Sequence, residues 1–514
     1  MFVLKFVLAI LPILWLVIAL SGLKWPGYKA CGVCLLLSVI LALVGWKMGL
    51  VNTLTACLEG VLTALWPICL VIVAAIFTYN ITLKTGAMDT IKKMLTSVSN
   101  DKRVLVLIIA WTFGNFMEGI AGFGTSVAIP GSMLAGLGFH PLTAIALCLI
   151  ANTVPTAFGS VGIPTVTLST VTGLEVGTLS ASTALIQLPI MLLTPFILVA
   201  LSGKGLKALK GMIPTTLICS VSFAFSSWLT AAYIGPELPD IIGFVVGMVC
   251  TIGAAKIFNR NPDKEYAIYT EEELKQSEHV DSGAAVKAWM PFILIFVLLL
   301  LTSKLVAPIN NMLSVFKSSF VIYTGENAST ISFSWINTPG IWIFLSAIIG
   351  GKVQGASFGV MGEVFTTTMK NMTKTIATIC AVLATAKVMS YSGMIADIAS
   401  FFVAVTGGFY PLIAPAIGAL GGFVTGSGTS TTVLFGGLQS QTANALGMSE
   451  SWLASANTMG AGIGKMISPQ SIAIGLGAVN MVGSESVILK KVVPYFLLNV
   501  IVAGLACYIG VLLF

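Results

Sequence analysis

The chain has 514 residues, of which 57% are apolar and only 9% are charged. Soluble domains carry about 25% charged residues, so a chain of this length and composition cannot cover a water-facing surface, and lipid must be its main solvent. The formal net charge of +7 does not indicate nucleic acid as a partner, because Lys and Arg in the short loops of a membrane protein set its orientation.

Apolar stretches that are long enough to cross a bilayer recur along the whole chain. A helix needs about 20 apolar residues to cross the hydrocarbon core. Candidate spans lie at 2–22, 30–50, 58–80, 141–170, 180–201, 211–232, 239–258, 287–306, 340–358, 373–391, 450–480 and 490–513. Two further stretches, 103–138 and 408–446, are interrupted by glycines. The sequence therefore predicts an all-α integral membrane protein with about 12 transmembrane helices.

The distribution of basic residues predicts which loops face the cytoplasm. Lys and Arg are concentrated in the segments 92–103, 204–210, 259–287, 370–374 and 490–491. Residues 388–464 contain no Lys or Arg, which is typical of a stretch that faces the outside.

A count of crossings then constrains the two glycine-interrupted stretches. Arg103 and Lys204 are both predicted on the cytoplasmic side, and the spans between them supply an even number of crossings. The stretch 103–138 must therefore enter and leave on one side, as a re-entrant hairpin that bends near Gly122. The same count makes 408–446 a second re-entrant hairpin, which enters from outside and bends near Gly426. Irregular backbone at membrane depth is tolerated only inside protein or beside a water-filled cavity.

The two halves of the chain contain matching landmarks in the same order. Residues 122–126 read GFGTS and residues 426–430 read GSGTS. Asn152-Thr153 follows the first string at nearly the same distance as Asn457-Thr458 follows the second. The basic residues that flank the two sets are predicted on opposite sides, so the repeats are predicted to be inverted, as in many secondary transporters.

These observations divide the chain into five parts. The predicted parts are the N-terminal scaffold spans at 1–57, the first repeat at 58–258 with hairpin 103–138, a charged cytoplasmic loop at 259–287, linking spans and an external loop at 288–369, and the second repeat at 370–514 with hairpin 408–446. A carboxylate-sensing receptor would need a soluble output domain, and none of these parts is long and polar enough to form one.

Prolines and glycines interrupt one helix in each repeat. The run from Asn152 to Pro164 contains two prolines and two glycines, which remove amide donors and loosen a helix. Three glycines between Asn457 and Gly464 predict a similar break in the second repeat. A broken helix exposes amide groups and a positive helix start, which can hold an anion such as a carboxylate. The alternative is a structural kink without a ligand.

Ionisable residues inside predicted spans are costly and usually functional. Glu118 lies four residues before Gly122 and is interpreted as the carboxylate that binds and releases a coupling proton. The alternative is a structural hydrogen bond across the hairpin. Lys387 and Lys465 are both candidates for neutralising a substrate carboxylate, and either could instead reach an interface or pair with an acid.

Signatures of other chemistry are absent from the sequence. The run Gly460–Met466 differs from a phosphate loop because Met459 occupies the first glycine position and Met466 replaces the Ser or Thr. With only two histidines, His140 and His279, there is no HExxH pattern. No catalytic dyad is found, so neither an enzyme activity nor a cofactor is predicted, and a proton is the expected coupling ion.

Four motifs taken together resemble the L-lactate permease family. They are Glu118-Gly-Ile-Ala-Gly-Phe-Gly124, Asn152-Thr-Val-Pro, Ile234-Gly-Pro-Glu-Leu-Pro-Asp240 and Gly464-Lys-Met-Ile-Ser-Pro-Gln-Ser-Ile-Ala-Ile474. The resemblance implies proton-coupled import of L-lactate, D-lactate, glycolate and related 2-hydroxy monocarboxylates across the bacterial inner (plasma) membrane. It also implies kinship with the divalent anion/sodium symporters, which have a scaffold, two opposed hairpins and elevator-like motion and are commonly dimers. A sodium-coupled carrier of another small carboxylate is the alternative.

The predicted binding residues surround the two hairpin tips and the two interrupted helices. Besides Glu118 for the proton, the predicted substrate-binding residues are Gly122, Gly124, Thr125, Ser126, Asn152, Thr153, Thr156, Lys387, Tyr391, Gly426, Ser427, Thr429, Ser430, Asn457, Thr458 and Lys465. The expected partners are a small carboxylate, membrane lipid and a second copy of the chain, with no metal and no nucleic acid. Compared with the family's pattern, Gly428 stands where an Asp is common, Ser390 stands where an Asn is common, and Lys387 is an unusual neighbour.

Overall fold

The structure is a computed structural model that describes residues 2–19, 23, 25–122, 124–203, 205–259, 265–268, 281–303, 306–326, 328, 330–481 and 484–513. Nearly all of the described chain is helical. Lipid offers the backbone no water, and a helix satisfies its own amide and carbonyl groups, so apolar runs of this length fold as helices. The predicted all-α class is confirmed.

Ten helical stretches in the described part of the chain are long and apolar enough to cross a membrane. Shorter apolar helices accompany them at Val3–Leu16, Pro141–Ala151 and Pro339–Val353. The chain is therefore a multi-pass membrane protein, and the count of about 12 spans stays a prediction.

The first part of the chain forms a group of helices. They are α1 (Phe2–Val17), α2 (Gly27–Val44), α3 (Leu50–Thr63), α4 (Leu70–Lys84) and α5 (Ala87–Thr96). A π-helical turn, Ala64–Cys69, joins α3 to α4 and contains Pro67. Proline has no amide proton to donate, and Trp66 before it is extended, with φ of −133° and ψ of 121°, so the helix is kinked at this point. The predicted span 58–80 thus extends in both directions, from residue 50 to residue 84.

A helical hairpin contains the first predicted tip. Its elements are α6 (Lys102–Val106), a π-helical segment (Leu107–Phe113), α7 (Gly114–Ile120) and α8 (Thr125–Gly136). The Asp101 side chain caps α6 by accepting a hydrogen bond of 2.9 Å from the backbone amide of Arg103. Between α7 and α8, Gly122 and Gly124 adopt left-handed conformations with φ of +60° and +85°. The chain therefore bends where the sequence predicts it.

The interruption predicted between Asn152 and Pro164 is present. The helices α9 (Pro141–Ala151) and α10 (Gly159–Thr172) are separated by an irregular segment that includes a 3-10 turn at Pro155–Ala157. Ser160, Val161 and Gly162 have φ of +46°, +59° and +77°. Residues with a Cβ rarely adopt this conformation, so the turn is strained and its neighbours must hold it in place.

The middle of the chain contains long helices around a charged loop. They are α11 (Val176–Ser202), a 3-10 turn (Gly205–Leu209), α12 (Ile213–Tyr233), α13 (Pro239–Phe258), α14 (Ser282–Thr302) and α15 (Ala307–Ser314). The predicted loop 259–287 lies mostly outside the described residues. Within it, the Tyr266 ring packs 3.9 Å from the Arg103 guanidinium carbon, and Arg103 pairs with Asp101 at 2.7 Å.

A two-stranded antiparallel ribbon lies in the segment predicted to be an external polar loop. Strand β1 (Lys317–Val321) pairs with β2 (Thr330–Ser334), with Lys317 opposite Ser334. The β2 sequence TISFS alternates hydroxyl and apolar side chains. A two-residue period of this kind favours a strand, and it is the signal that the prediction of a plain loop missed.

The second half of the chain is again helical. Its elements are α16 (Pro339–Val353), α17 (Phe358–Ser392), α18 (Met394–Thr406), a 3-10 turn (Gly407–Phe409), α19 (Tyr410–Thr425), α20 (Gly428–Ala445), α21 (Glu450–Lys465), α22 (Pro469–Ala478) and α23 (Glu485–Leu513). Helices α19 and α20 form the second hairpin, which turns at Gly426 with φ of +63°. Gly86 and Gly393 occupy corresponding positions ahead of the two hairpins, where each follows a helix, and they have φ of +74° and +89°.

The glycine break predicted within 457–464 is wrong. Helix α21 is continuous from Glu450 to Lys465, and the chain turns only after it. A Cβ on Gly464 would collide with the carbonyl group of Ala419 in α19, and one on Gly462 would collide with the carbonyl group of Thr153. The glycines therefore serve close packing between helices, as small residues often do in membranes, and do not interrupt the helix.

Candidate functional site

A cavity of about 450 Å³ lies where the two hairpin tips meet the interrupted helix α9–α10. The first tip contributes Gly122 and Gly124, and the second contributes residues 426–430. The break between α9 and α10 contributes Thr156, and the first turn of α22 contributes Gln470. Elements that are far apart in the sequence thus converge on one volume.

A buried ion pair lines this cavity. Glu118 on α7 and Lys465 at the end of α21 are 3% and 5% exposed. The Lys465 Nζ donates a short hydrogen bond to Glu118 Oε1 across a separation of 347 residues in the chain. Removing one member of such a pair leaves the other charge buried without a partner, which is strongly unfavourable. The two candidate ionisable residues are therefore each other's partner in this structure.

Hydrogen bonds and packing fix the orientation of the Glu118 carboxylate. Ser126 Oγ lies 2.6 Å from Glu118 Oε2 and 2.9 Å from the side-chain oxygen of Asn152. A hydroxyl has only one proton, so Ser126 donates to the carboxylate, and the Asn152 amide, with its O and N exchanged, donates to Ser126. A Cβ on Gly159 would lie 3.2 Å from Glu118 Oε1. A glycine at that position leaves room for the carboxylate.

The tip of the second hairpin packs against the interrupted helix of the first repeat. The Ser427 side chain caps α20 by accepting a hydrogen bond of 3.2 Å from the Ser430 amide. A Cβ on Gly428 would lie 2.8 Å from Thr156 Cγ2 and 3.1 Å from the Thr156 carbonyl oxygen. An Asp in place of Gly428 would thus require the tip or Thr156 to move. The first residues of α20 line the cavity, so the positive end of a helix with 18 residues faces it.

The structure brings many of the predicted site residues to this cavity. Those that line it are Glu118, Gly122, Gly124, Thr156, Gly426, Ser427, Thr429, Ser430 and Lys465. Ser126 and Asn152 are bonded around Glu118 as described above, and Thr125 donates a hydrogen bond of 2.8 Å to the Gly122 carbonyl of its own turn.

Three predicted polar residues are buried away from that lining. Thr153, Asn457 and Thr458 are at most 1% exposed. Their side-chain oxygen and nitrogen atoms have no hydrogen-bond partner among the described residues. They lie where α21 packs against its neighbours, so contact with a ligand in the cavity would require the helices to move.

Lys387 and Tyr391 lie in a second cluster. Lys387 Nζ is 2.9 Å from Glu59 Oε1, and the Tyr391 hydroxyl donates a hydrogen bond of 2.8 Å to the same oxygen. Glu59 is fully buried on α3, and the Tyr323 ring stacks on Tyr391 with a centroid distance of 3.8 Å. Neither Lys387 nor Tyr391 lines the cavity, so this structure does not bring them to the hairpin tips.

Sequence reasoning missed four residues that the structure places in or beside these clusters. Ser160 and Gln470 line the cavity, Glu59 pairs with Lys387, and Asp240 is buried behind Glu118. The two acids could have been found, because both lie within predicted spans, where an ionisable residue is a functional signal. Nothing in the sequence distinguishes Ser160 or Gln470 from other polar residues near helix ends.

The described residues contain no group of three or more His, Cys, Asp and Glu side chains that could hold a metal ion. The polar groups that face the cavity are instead hydroxyls, amides, the Lys374 ammonium group and the Glu118–Lys465 pair. This arrangement suits a small anion that carries hydrogen-bonding groups.

The chain is similar to known proteins over nearly its whole length. The family model for L-lactate permease matches residues 5–514. The L-lactate permease of Streptococcus iniae is 44% identical over 452 residues, which is 87% of this chain and 93% of that protein. The glycolate permease GlcA of Escherichia coli (strain K12) is 37% identical over 529 residues, which is 97% of this chain and 94% of that protein.

Among solved structures, the YdaH transporter of Alcanivorax borkumensis has a TM-score of 0.47 and 12% identity, over 86% of this chain and 85% of that one. A similarity at this level is too low to indicate a function. The match to the family model and the two permeases indicate a transporter rather than an enzyme, and they confirm the resemblance found in the motifs. The chain belongs to the L-lactate permease family.

Proposed function

We propose that this protein is a secondary active transporter that imports L-lactate and related 2-hydroxy monocarboxylates, including glycolate and D-lactate, together with protons. Its relatives include proteins named L-lactate permease and glycolate permease. The observation that carries the proposal is the buried Glu118–Lys465 pair in a cavity that suits a small carboxylate. Lys465 can receive a substrate carboxylate only when Glu118 releases it.

Lys465 couples the binding of the proton to the binding of the substrate. While Glu118 is ionised, it neutralises Lys465 and occupies the ammonium group. Protonation of Glu118 removes the negative charge and frees the ammonium donors for the carboxylate of lactate. A proton and a monocarboxylate anion together leave the net charge of the site unchanged. Because an unpaired buried charge is costly, the site is loaded with both or with neither, and this linkage couples uptake to the proton gradient.

The tip of the second hairpin supplies the rest of the substrate site. The amides at the start of α20 present a positive helix end that favours an anion. The hydroxyls of Ser427, Thr429 and Ser430 line the same cavity and can bond the 2-hydroxyl group of the substrate. Ile474 adds apolar surface for the methyl group of lactate. Glycolate lacks that methyl group and makes the same polar contacts.

The two helical hairpins are re-entrant and belong to inverted repeats in this proposal. Support comes from the left-handed glycines at matched positions, Gly86 with Gly393 and Gly122 with Gly426. The cavity is lined by Tyr28 and Lys374 at one end, and Lys374 belongs to a basic segment that is predicted to be cytoplasmic. The structure then corresponds to a state open to the inside of the bacterial inner membrane.

Movement of the hairpins against the scaffold spans exchanges access between the two sides. Binding shifts such an equilibrium only through different affinities for the two states. The loaded site, without a net charge change, moves more easily than a site with one unpaired charge. The family resemblance also supports a homodimer assembled through the scaffold spans.

Uptake of labelled L-lactate into proteoliposomes tests the proposal. The vesicles carry an imposed inward proton gradient and contain no sodium. Accumulation that a protonophore abolishes is the expected result. Accumulation only after sodium is added would replace the proton by sodium as coupling ion. No uptake of lactate or glycolate under either condition, with folded protein, would overturn the proposed substrate class.

A further inference from the structure

A second carboxyl group is buried directly behind Glu118. Asp240, in the first turn of α13, is 1% exposed. A Cβ built on Gly119, the residue after Glu118, would lie 2.7 Å from Asp240 Cβ and 3.5 Å from Asp240 Oδ2. Asp240 therefore packs onto the backbone of the first hairpin, at the residue that follows Glu118.

Neither carboxyl oxygen of Asp240 has a hydrogen-bond partner among the described residues. An acid near the start of a helix often accepts hydrogen bonds from the free backbone amides, and Asp240 does not do so. A buried carboxylate without a partner is among the most costly groups in a membrane protein. Its presence requires an explanation other than capping.

Few other titratable groups surround Asp240. Of the elements that pack against α13, α7 contributes Glu118, and the corner 234–239 contributes Glu237. Helix α12 carries Cys219 and Tyr233, and the segment 107–113 carries no titratable side chain. Helix α14 also contacts α13, through the rings of Trp289 and Phe244, and its Lys287 is exposed. The described residues on these elements thus give Asp240 acidic neighbours and no buried lysine or arginine.

A second cavity of about 980 Å³ reaches the same corner. Glu237 and Leu238 of the corner line it, as does Glu175 at the start of α11. Among the described residues that line it, Glu175 and Glu237 are acidic, and there is no Lys, Arg or His. Helix α11 has 27 residues and is about 40 Å long. This cavity therefore lies at the face opposite to the basic segment 204–210.

The corner is also packed against the strained turn that precedes Pro164. A Cβ on Gly162 would collide with the carbonyl group of Pro236. Gly159, in the same turn as Gly162, packs against Glu118. The second cavity, Asp240 and Glu118 are thus held in one contiguous group of residues that runs from one face of the protein to the substrate cavity.

We propose that Asp240 is a proton relay between the second cavity and Glu118, which rests on the proposed function. A proton from water in the second cavity binds the Asp240 carboxylate. The two carboxyl groups are not hydrogen-bonded to each other in this structure, so the Asp240 carboxyl gives this proton to the Glu118 carboxylate through an intervening water molecule. Protonated Glu118 then releases Lys465 for the substrate. Asp240 ends as the carboxylate that it was at the start, and no other bond is made or broken.

The test compares Asp240→Asn with the wild-type protein in proteoliposomes. Asn has nearly the same volume as Asp and cannot carry a proton. Two activities are measured: accumulation of labelled L-lactate driven by a proton gradient, and counterflow, in which labelled lactate exchanges for unlabelled lactate without a gradient. In counterflow the carrier crosses the membrane with its proton and substrate bound in both directions, so no net transfer of protons through the relay is required.

Asp89→Asn is the matched control. Asp89 also lies in the first turn of a helix, α5, but its side chain is 76% exposed and pairs with Lys92 at 3.4 Å. A general effect of losing an acid from a first turn would occur in both variants. Asp240→Glu, which restores a carboxyl group in a slightly larger side chain, tests whether the acid itself is needed.

The expected result is that Asp240→Asn keeps counterflow and loses accumulation, whereas Asp89→Asn keeps both and Asp240→Glu regains part of the accumulation. Accumulation at the wild-type level in Asp240→Asn would overturn the relay. Loss of counterflow as well, in a variant that unfolds at the wild-type temperature, would assign Asp240 to substrate binding or packing and also overturn it. If the wild-type protein itself accumulates no lactate, the proposed function fails and the relay with it.

Discussion

Two buried pairs of a glutamate and a lysine each join distant parts of this chain, and they differ in what can reach them. The Glu118–Lys465 pair lies at a hairpin, beside an interrupted helix, and lines a cavity. The Glu59–Lys387 pair lies between the helices α3 and α17, and Tyr391 and Tyr323 cover it. Both pairs are nearly inaccessible: the side-chain exposures are 6% for Lys465 and 4% for Glu118, and 12% for Lys387 and 0% for Glu59.

Burial of an ion pair does not by itself indicate function. In both pairs, burial of the two charges costs desolvation free energy. Removal of one partner from either pair is strongly unfavourable, because the other charge stays buried. What differs is whether a small anion can replace the carboxylate on the lysine. The cavity gives a ligand access to Lys465, whereas close packing of Gly60 against the backbone at Ala384 closes α3 onto α17 beside Lys387.

The largest expected effect comes from Lys465→Met. Without the ammonium group the site has no cation for the substrate carboxylate, so both uptake and counterflow of lactate fall to the level of empty liposomes. Uptake assays with matched amounts of reconstituted protein check this. The same substitution at the other pair, Lys387→Met, is the control and should retain counterflow. Lactate transport by Lys465→Met with the wild-type KM would show that the two pairs are equivalent.

Glu118→Gln should separate coupling from binding. The amide cannot take up a proton and leaves Lys465 free for the substrate, so counterflow continues while accumulation driven by a proton gradient is lost. The measurement is lactate uptake over a range of external pH, with and without the gradient. Full pH-dependent accumulation in this variant would remove Glu118 as the proton carrier.

Lys387→Met should act on stability and leave the lactate KM unchanged. The substitution leaves the Glu59 charge buried without its partner, which costs about 3–5 kcal/mol. Thermal unfolding in detergent measures this loss, and counterflow measures the KM. In the double variant Glu59→Gln/Lys387→Met, which removes both charges, most of the stability should return. A changed KM would instead place Lys387 in the substrate site.

Tyr391→Phe is expected to have the smallest effect. It removes one hydrogen bond to Glu59, which keeps its bond to Lys387, so the expected loss is roughly 1.5 kcal/mol, the lower end for a bond to a charged group. Thermal unfolding is again the measurement. In a Glu59→Gln background the same substitution should cost less, because the charged acceptor is gone. An equal loss in both backgrounds would show that the Tyr391 hydroxyl acts through a group other than the Glu59 carboxylate.

Much of the fold could be predicted from the sequence because the membrane restricts it so strongly. Apolar runs identify helices, and glycines and prolines identify their ends, as at Gly122, Gly426 and Pro155. The break expected within 457–464 failed for a physical reason. A glycine in a membrane helix serves either flexibility or close packing, and only the neighbouring helix α19 decides between them.

Part of the site could be predicted in the same way, and the pairing within it could not. Glu118, Lys387 and Lys465 stand out in the sequence because charges are rare in apolar segments. Which acid meets which lysine depends on contacts between residues 347 apart in one case and between α3 and α17 in the other. Sequence separation carries no information about such contacts.

The sequence alone therefore determined that this chain is a helical membrane protein of the L-lactate permease family with two bends at matched glycines, because composition and motifs are local properties. The tertiary structure decided that Lys465 pairs with Glu118 at the cavity and that Lys387 pairs with Glu59. It also decided that Asp240 is buried beside Gly119 without a hydrogen-bond partner in the part of the chain that the structure describes. A charge acquires its role from the groups that surround it in space, and those are set only when the helices pack.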